Sequence, residues 1–156
     1  MQRLNWDEYF MGIALMSAKR SGDPSTQVGC VIVRPDNRIA SLGYNGFPRN
    51  TKEGDFSWGN TGEWIDTKYP YVVHAEMNAM LSARGVDLTG CKVYVTLAPC
   101  NECAKAMAQA GIVEVIYYED KHAEQPIFIA SKKIMDKAGI KYRQYQKSGV
   151  DVNVSL

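Results

Sequence analysis

Histidine is scarce in this sequence, with two residues among 156. Excess charge is scarce too: 18 Lys and Arg stand against 17 Asp and Glu, a formal net charge of +1. A chain so near neutrality raises no field to gather polyanions, and no basic block marks a patch for them, so nucleic-acid partners are disfavoured. Apolar residues make up 46% of the chain, yet no apolar run approaches the roughly 20 residues of a spanning helix. The opening MQRLNWDEYF lacks the charged-then-apolar order of a secretory leader. No membrane association is expected, and the expected setting is the reducing cytoplasm. There the four cysteines are metal ligands or buried thiols sooner than disulfides. Repeats and low-complexity segments are absent. One domain over 1–156 is expected, with its core in about 5–145 and a weakly ordered tail at 146–156.

What is present reads as an alternation of elements. Trp6 to Arg20 has an amphipathic helical pattern, broken by SGDPST. QVGCVIV and IASLGY are two strands joined by a PDN turn, a hairpin signal. Residues 45–70 form a long aperiodic stretch rich in Gly, Asn and aromatics, a length that is usually functional or specially packed. A helix over 71–84, the strand CKVYVTL, a helix over 100–110, the strand VEVIYY, a helix over 126–138 and the strand KYRQY follow. An opening hairpin followed by strand–helix alternation predicts an α/β domain, a mixed sheet with helices on both faces.

Two short words carry the chemistry. In YVVHAEMNAM, His74 stands two residues before Glu76; in TLAPCNECAK, Cys100 and Cys103 are three apart at a helix start. Their sulfurs point the same way, Pro99 sits where a helix tolerates it, and a helix N-terminus favours thiolates. By itself CxxC reads as redox or as metal. Two thiolates and an imidazole make a three-ligand zinc site with one position free for water, as catalytic sites have. A structural site needs a fourth ligand, and Cys30, Cys91 and His122 belong to no motif with the first three; the cysteines read as buried thiols and His122 as a solvated loop residue. Residues i and i+2 do not face each other on a helix body, but both can serve a site beyond the helix tip. His74 then ligates zinc, and Glu76 reaches water without ligating. Zinc with two thiolates and one imidazole carries no net charge and acidifies water weakly, so a carboxylate that takes and returns the proton supplies what the metal lacks.

The joint pattern H-x-E with P-C-x-x-C is that of zinc nucleobase deaminases, and the chain resembles the cytidine deaminase superfamily. DPSTQVGCVIV, GYNGFPR, HAEMNAML, PCNECAKAMAQAGI and VIYYEDKH together closely resemble deoxycytidylate (dCMP) deaminases, from about residue 5 to 145. Two departures are CVIV for the common AVIV, and TLAPC where many members carry an aromatic before the proline. The resemblance implies a three-layer α/β/α cytidine deaminase-like fold with a five-stranded mixed sheet. It implies one catalytic zinc per chain and hydrolysis of dCMP to dUMP and ammonia, with Glu76 protonating N3 and then the departing amine. The Ala75 backbone would meet the pyrimidine edge, Asn45 the sugar hydroxyl, and Thr26 the nucleotide. Tyr117 would flank base or phosphate from a strand end, and Arg20 or Lys19 would bind the 5′-phosphate. The family also implies activation by dCTP and inhibition by dTTP, with Mg2+ on the effector, in a homohexamer that supplies dUMP for thymidylate synthesis. Tyr44, Asn45 and Gly46 are where the effector is expected, and the aromatics of 47–71 suit a subunit interface or a satellite core.

Three rivals share parts of this pattern. Zinc deaminases acting on tRNA adenosine or free cytosine carry the same metal words. A zinc-stabilised binding module would need a closed four-ligand site, and a CxxC redox protein would have no use for His74.

Overall fold

The computed structural model describes residues 2–156; Met1 of the expected domain lies outside the described residues. Helix α1 covers Trp6–Ala18, and strands β1 (Gly29–Val33) and β2 (Ile39–Tyr44) form the hairpin. Then come α2 (Ala75–Ser82), β3 (Lys92–Leu97), α3 (Asn101–Ala110), β4 (Glu114–Glu119), α4 (Pro126–Ala138) and β5 (Lys141–Gln144). The sheet runs β2-β1-β3-β4-β5. β1 is antiparallel to both neighbours, and β3, β4 and β5 are parallel. This is the five-stranded mixed sheet that the alternation predicts.

Alternate residues of the central strands feed two cores. Val31, Val33, Tyr94 and Ile116 meet Phe10, Met11 and Ala14 of α1 on one face. Cys30, Ile32, Val93, Val95 and Val115 meet α2, α3 and α4 on the other. Covered on both sides, β1 is buried at all five positions, so it reads as a continuous apolar run rather than an alternating one. Cys30 and Cys91 are buried free thiols, as their strand context predicts. α3 and α4 each end on a left-handed glycine, Gly111 and Gly139, in the usual C-terminal manner.

The helix expected over 71–84 begins four residues later. Tyr71 to Val73 are apolar and fit a helical pattern, but Val73 is held in an isolated β-bridge: its N–H donates to Gly46 O at 2.7 Å, and Gly46 N–H donates to Val73 O at 3.1 Å. His74 is therefore the N-cap of α2, with extended backbone at φ −68° and ψ 154°. The helix lies tightly on β2. A Cβ at Gly43 would stand 2.4 Å from Ala75 O and 2.5 Å from Ala79 N, so only glycine permits this approach.

The stretch 45–70 holds one short 3-10 turn, Trp64–Asp66, and two kinds of aromatic. Phe47, Phe56, Trp58 and Tyr71 form a satellite cluster, with Phe47–Trp58 centroids 4.0 Å apart and Phe56–Tyr71 stacked at 4.5 Å. Trp64, Ile65 and Tyr69 project outward, Trp64 at 65% exposure. Residues 145–156 carry no regular structure. No helix among the described residues is long and apolar enough to cross a membrane.

Candidate active site

Two helix N-termini converge at the zinc-binding words. His74 caps α2, Cys100 caps α3 at φ −76° and ψ 173°, and Cys103 stands in the first turn of α3. Neither cap side chain bonds its own helix, so the imidazole and thiol are free to face each other. His74 Nδ1 lies 3.4 Å from Cys100 Sγ and 3.6 Å from Cys103 Sγ. Ligands at ordinary zinc distances of about 2.0 and 2.3 Å in tetrahedral geometry stand about 3.5 Å apart, so this donor set fits a zinc ion as it is built. Among the described residues His74, Cys100 and Cys103 are the one group of three such donors within 4.8 Å of one another.

The electrostatics of the cluster follow from its hydrogen bonds and the helix ends. The bond from Cys103 outweighs burial and, with His74 beside it, holds the Cys100 thiol down at about 4. Donating that bond, burial and the nearby Glu76 push the Cys103 thiol up. The bond with Cys100 outweighs burial and brings His74 up to about 9. The aligned peptide dipoles of α2 and α3 favour negative charge here, whether thiolate or carboxylate.

Glu76 sits in the first turn of α2 and is only 4% exposed. Burial pushes its carboxyl above the usual 4.5; His74 pulls it back and Cys100 pushes it further. A buried carboxyl so raised can hold a proton and release it, which is what general acid–base chemistry asks.

A cavity of about 280 Å³ opens onto this cluster. Of the residues assigned to substrate from sequence, Thr26, Asn45 and Ala75 line it. Asn45 is buried, and its amide fastens the adjoining segment: Oδ1 accepts from Val28 N–H at 2.8 Å and Nδ2 donates to Thr26 O at 2.9 Å. Ala75 offers the first helical N–H of α2, which has no partner within the helix.

Two assignments land elsewhere. Tyr117 is not at a strand end but inside β4, buried in the core beneath α4, because the strand runs two residues past it to Glu119. Arg20 is exposed and stands over the Tyr44 ring at 5.7 Å, away from the cavity lining. Tyr44 and Gly46 are also off the cavity: the Tyr44 carbonyl accepts from Asn78 Nδ2 at 2.8 Å, and Gly46 makes the bridge to Val73.

The cavity also has lining residues that the sequence reading passes over. Lys68 and Asp23 form a buried ion pair on its wall, at 2.6 Å, with side chains 8% and 2% exposed. His122, read as a solvated loop residue, lines the cavity with Gln125, whose Nε2 lies 3.3 Å from His122 Nδ1. Phe128 of α4 faces the same space as Ala98, the small residue that precedes Pro99. One signal for Lys68 was available: a lone lysine among aromatics in DTKYPYVV, just before His74.

Comparison with known proteins agrees with this geometry. Residues 4–119 match the family described as the cytidine and deoxycytidylate deaminase zinc-binding region. A probable deoxycytidylate deaminase of Drosophila melanogaster is 46% identical over 96% of this chain and 78% of its own length. A human deoxycytidylate deaminase is 46% identical over 91% of this chain and 80% of its own. In structure, the dCMP deaminase of cyanophage S-TIM5 in complex with dCMP and dUMP superposes with a TM-score of 0.72, covering 93% of this chain and 100% of that one, at 22% identity, which speaks to the fold. With a family match across most of its length and the zinc donors and buried carboxyl in place, the chain belongs to the cytidine and deoxycytidylate deaminase family.

Proposed function

We propose that this protein hydrolyses dCMP to dUMP and ammonia. The observation that carries the reading is the buried Glu76 carboxyl beside the His74, Cys100 and Cys103 donors, at the end of a cavity sized for a single small ligand. The similarity to relatives named deoxycytidylate deaminases supports the choice of substrate.

His74, Cys100 and Cys103 would hold a zinc ion, which would supply Lewis acidity to the attacking water. Glu76 does the proton work. Its carboxylate takes the proton that the attacking water gives up, delivers it to N3 of the pyrimidine, and then serves the departing amine at C4. The Ala75 N–H orients the pyrimidine edge. Asn45, locked by its bonds to Thr26 and Val28, turns its remaining amide hydrogen to the sugar hydroxyl. Leu97, Ala98 and Phe128 close the apolar side of the cavity and keep bulk water from the reacting centre.

The regulatory reading belongs to the same proposal. dCTP with Mg2+ activates and dTTP inhibits, through the turn Tyr44–Asn45–Gly46. That turn couples outward to Arg20 through the Tyr44 ring and inward to the cavity through Asn45. The exposed Trp64, Ile65 and Tyr69 supply a subunit interface in a homohexamer. The product dUMP feeds thymidylate synthesis in the cytoplasm.

Ammonia release from dCMP by zinc-loaded protein tests this, with and without dCTP and Mg2+, beside CMP, deoxycytidine, cytosine and tRNA. Turnover of dCMP that rises or steepens with dCTP is the expected outcome. Turnover of tRNA or free cytosine in its place contradicts the substrate assignment, and hyperbolic kinetics unmoved by dCTP contradict the regulatory one.

A further inference from the structure

The buried ion pair on the cavity wall has more donor capacity than its partners use. Lys68 Nζ carries three N–H groups. One goes to Asp23 Oδ2 at 2.6 Å and one to Ser25 Oγ at 3.0 Å; the third has no hydrogen-bond partner among the described residues, and Nζ also stands over the Tyr69 ring, its centroid 5.8 Å away. The ammonium is nonetheless more than nine-tenths buried and lines the cavity. Its backbone is fixed as well: Lys68 N–H donates to Gly59 O at 2.9 Å, and Lys68 O accepts from Val72 N–H at 2.9 Å.

The unused donor says what such a group is for. With zinc bound, two thiolates and one imidazole leave the metal centre neutral. Glu76 and Asp23 each contribute one negative charge to the cavity wall, and Lys68 one positive. A ligand bearing a phosphomonoester brings further negative charge into this space, and Lys68 is the one Lys or Arg that lines it. Arg20 and Lys19, the sequence candidates for that task, do not line the cavity. Asp23 does not cancel Lys68 for this purpose, because it acts as a tether. Its other oxygen, Oδ1, accepts from Ser25 N–H and Oγ at 2.9 Å and from Thr26 N–H at 3.2 Å, so the carboxylate ties the lysine to the loop that carries Thr26. A pre-ordered cation on a tethered loop meets the ordering cost of binding in advance.

We propose that Lys68, held by Asp23, reads the 5′-phosphate of the substrate through its spare N–H and so sets the preference for a nucleotide over a nucleoside. This rests on the dCMP reading above. A charge-assisted hydrogen bond of this kind corresponds to about 30–100-fold in affinity or in kcat/KM.

The test compares dCMP with deoxycytidine, which lacks only the phosphate, in the zinc-loaded wild type, in K68M and in the double variant D23N/K68M. The double variant removes the unpaired carboxylate that could unfold K68M, and zinc content and Tm are measured for each. The ratio of kcat/KM for dCMP to that for deoxycytidine is expected to fall about 30–100-fold in both variants. Deoxyribose 5-phosphate is expected to bind wild type by calorimetry and to lose that binding in D23N/K68M. A ratio that stays at the wild-type value while both substrates slow together makes Lys68 a structural tether only and overturns the proposal. If wild type fails to turn over dCMP at all, the substrate reading fails by itself; the deoxyribose 5-phosphate titration then still decides whether Lys68 binds a phosphomonoester.

Discussion

At the metal cluster every functional group comes from two short words, His74-Ala75-Glu76 and Pro99-Cys100-Asn101-Glu102-Cys103, each at the tip of a helix. On the loop wall of the same cavity, Lys68 and Asp23 meet across 45 residues, and neither lies in a helix or strand. The cluster is built largely from local geometry: once the Gly46–Val73 bridge has set where α2 starts, a helix start fixes where its N-cap and first-turn side chains point. The wall is built from long-range pairing, where each partner has meaning only through the other. Chemistry concentrates at the first and substrate reading at the second. Losses should therefore differ in kind, with rate lost at the cluster and with stability and selectivity lost on the wall.

The largest effect expected is at the cluster. E76Q keeps the side-chain volume and the helix but cannot carry the proton, so kcat should fall by about 10²–10⁴-fold with zinc still bound at one per chain. Full zinc content with near-normal turnover would break the assignment of roles. On the wall, D23N leaves the Lys68 ammonium buried without its counter-charge. That costs about 3–5 kcal/mol, and the resulting drop in melting temperature should be largely restored in D23N/K68M, as calorimetry can read. A D23N protein as stable as wild type would show that the pair is not the tether described.

The cluster has a support of its own, the close packing of α2 on β2. G43A places a methyl 2.4 Å from Ala75 O, so α2 must shift and carry His74 and Glu76 with it. Overpacking of this kind costs about 1–3 kcal/mol. Weakened zinc retention should accompany it, read by metal content after dialysis against a chelator.

The smallest effect is in pH. Burial raises the Asp23 carboxyl, and bonds from Lys68, Ser25 and Thr26 more than offset it, leaving the group below its ordinary 3.8. A folded-state pKa held below the unfolded one stabilises above the unfolded value and is lost as pH falls through the folded one. The stability gap between wild type and D23N should accordingly be level through neutrality and close as pH drops below 3.8. A gap that opens or closes between about pH 6 and 8 would point to a different partner for Lys68.

The same contrast explains what the sequence makes readable. The succession of elements and the mixed sheet follow from alternation, and the ends of α3 and α4 from Gly111 and Gly139. The zinc donors and Glu76 follow from residue types that have few other reasons to keep company. The start of α2 is misplaced because Tyr71 to Val73 suit a helix locally, and only Gly46, far along the chain, pulls Val73 into a bridge. Tyr117 looks like a strand end until Glu119 is seen to pair with Leu97 and extend β4 beyond it. Lys68 looks like a surface charge until the distant Asp23 loop folds against it, and His122 looks like a solvated loop residue until the cavity it lines with Gln125 and Phe128 is formed. The start of α2, Tyr117 and Lys68 each owe their environment to a non-local partner.

Ammonia release from dCMP by wild type and by E76Q, each assayed for zinc on the same sample, tests the central claim most directly. The account predicts equal zinc at one per chain, sustained dUMP production by wild type and, in E76Q, at most about a hundredth of that rate. Comparable turnover by the two proteins, or loss of zinc from E76Q together with its activity, would contradict the role given to Glu76 as the proton carrier beside the metal.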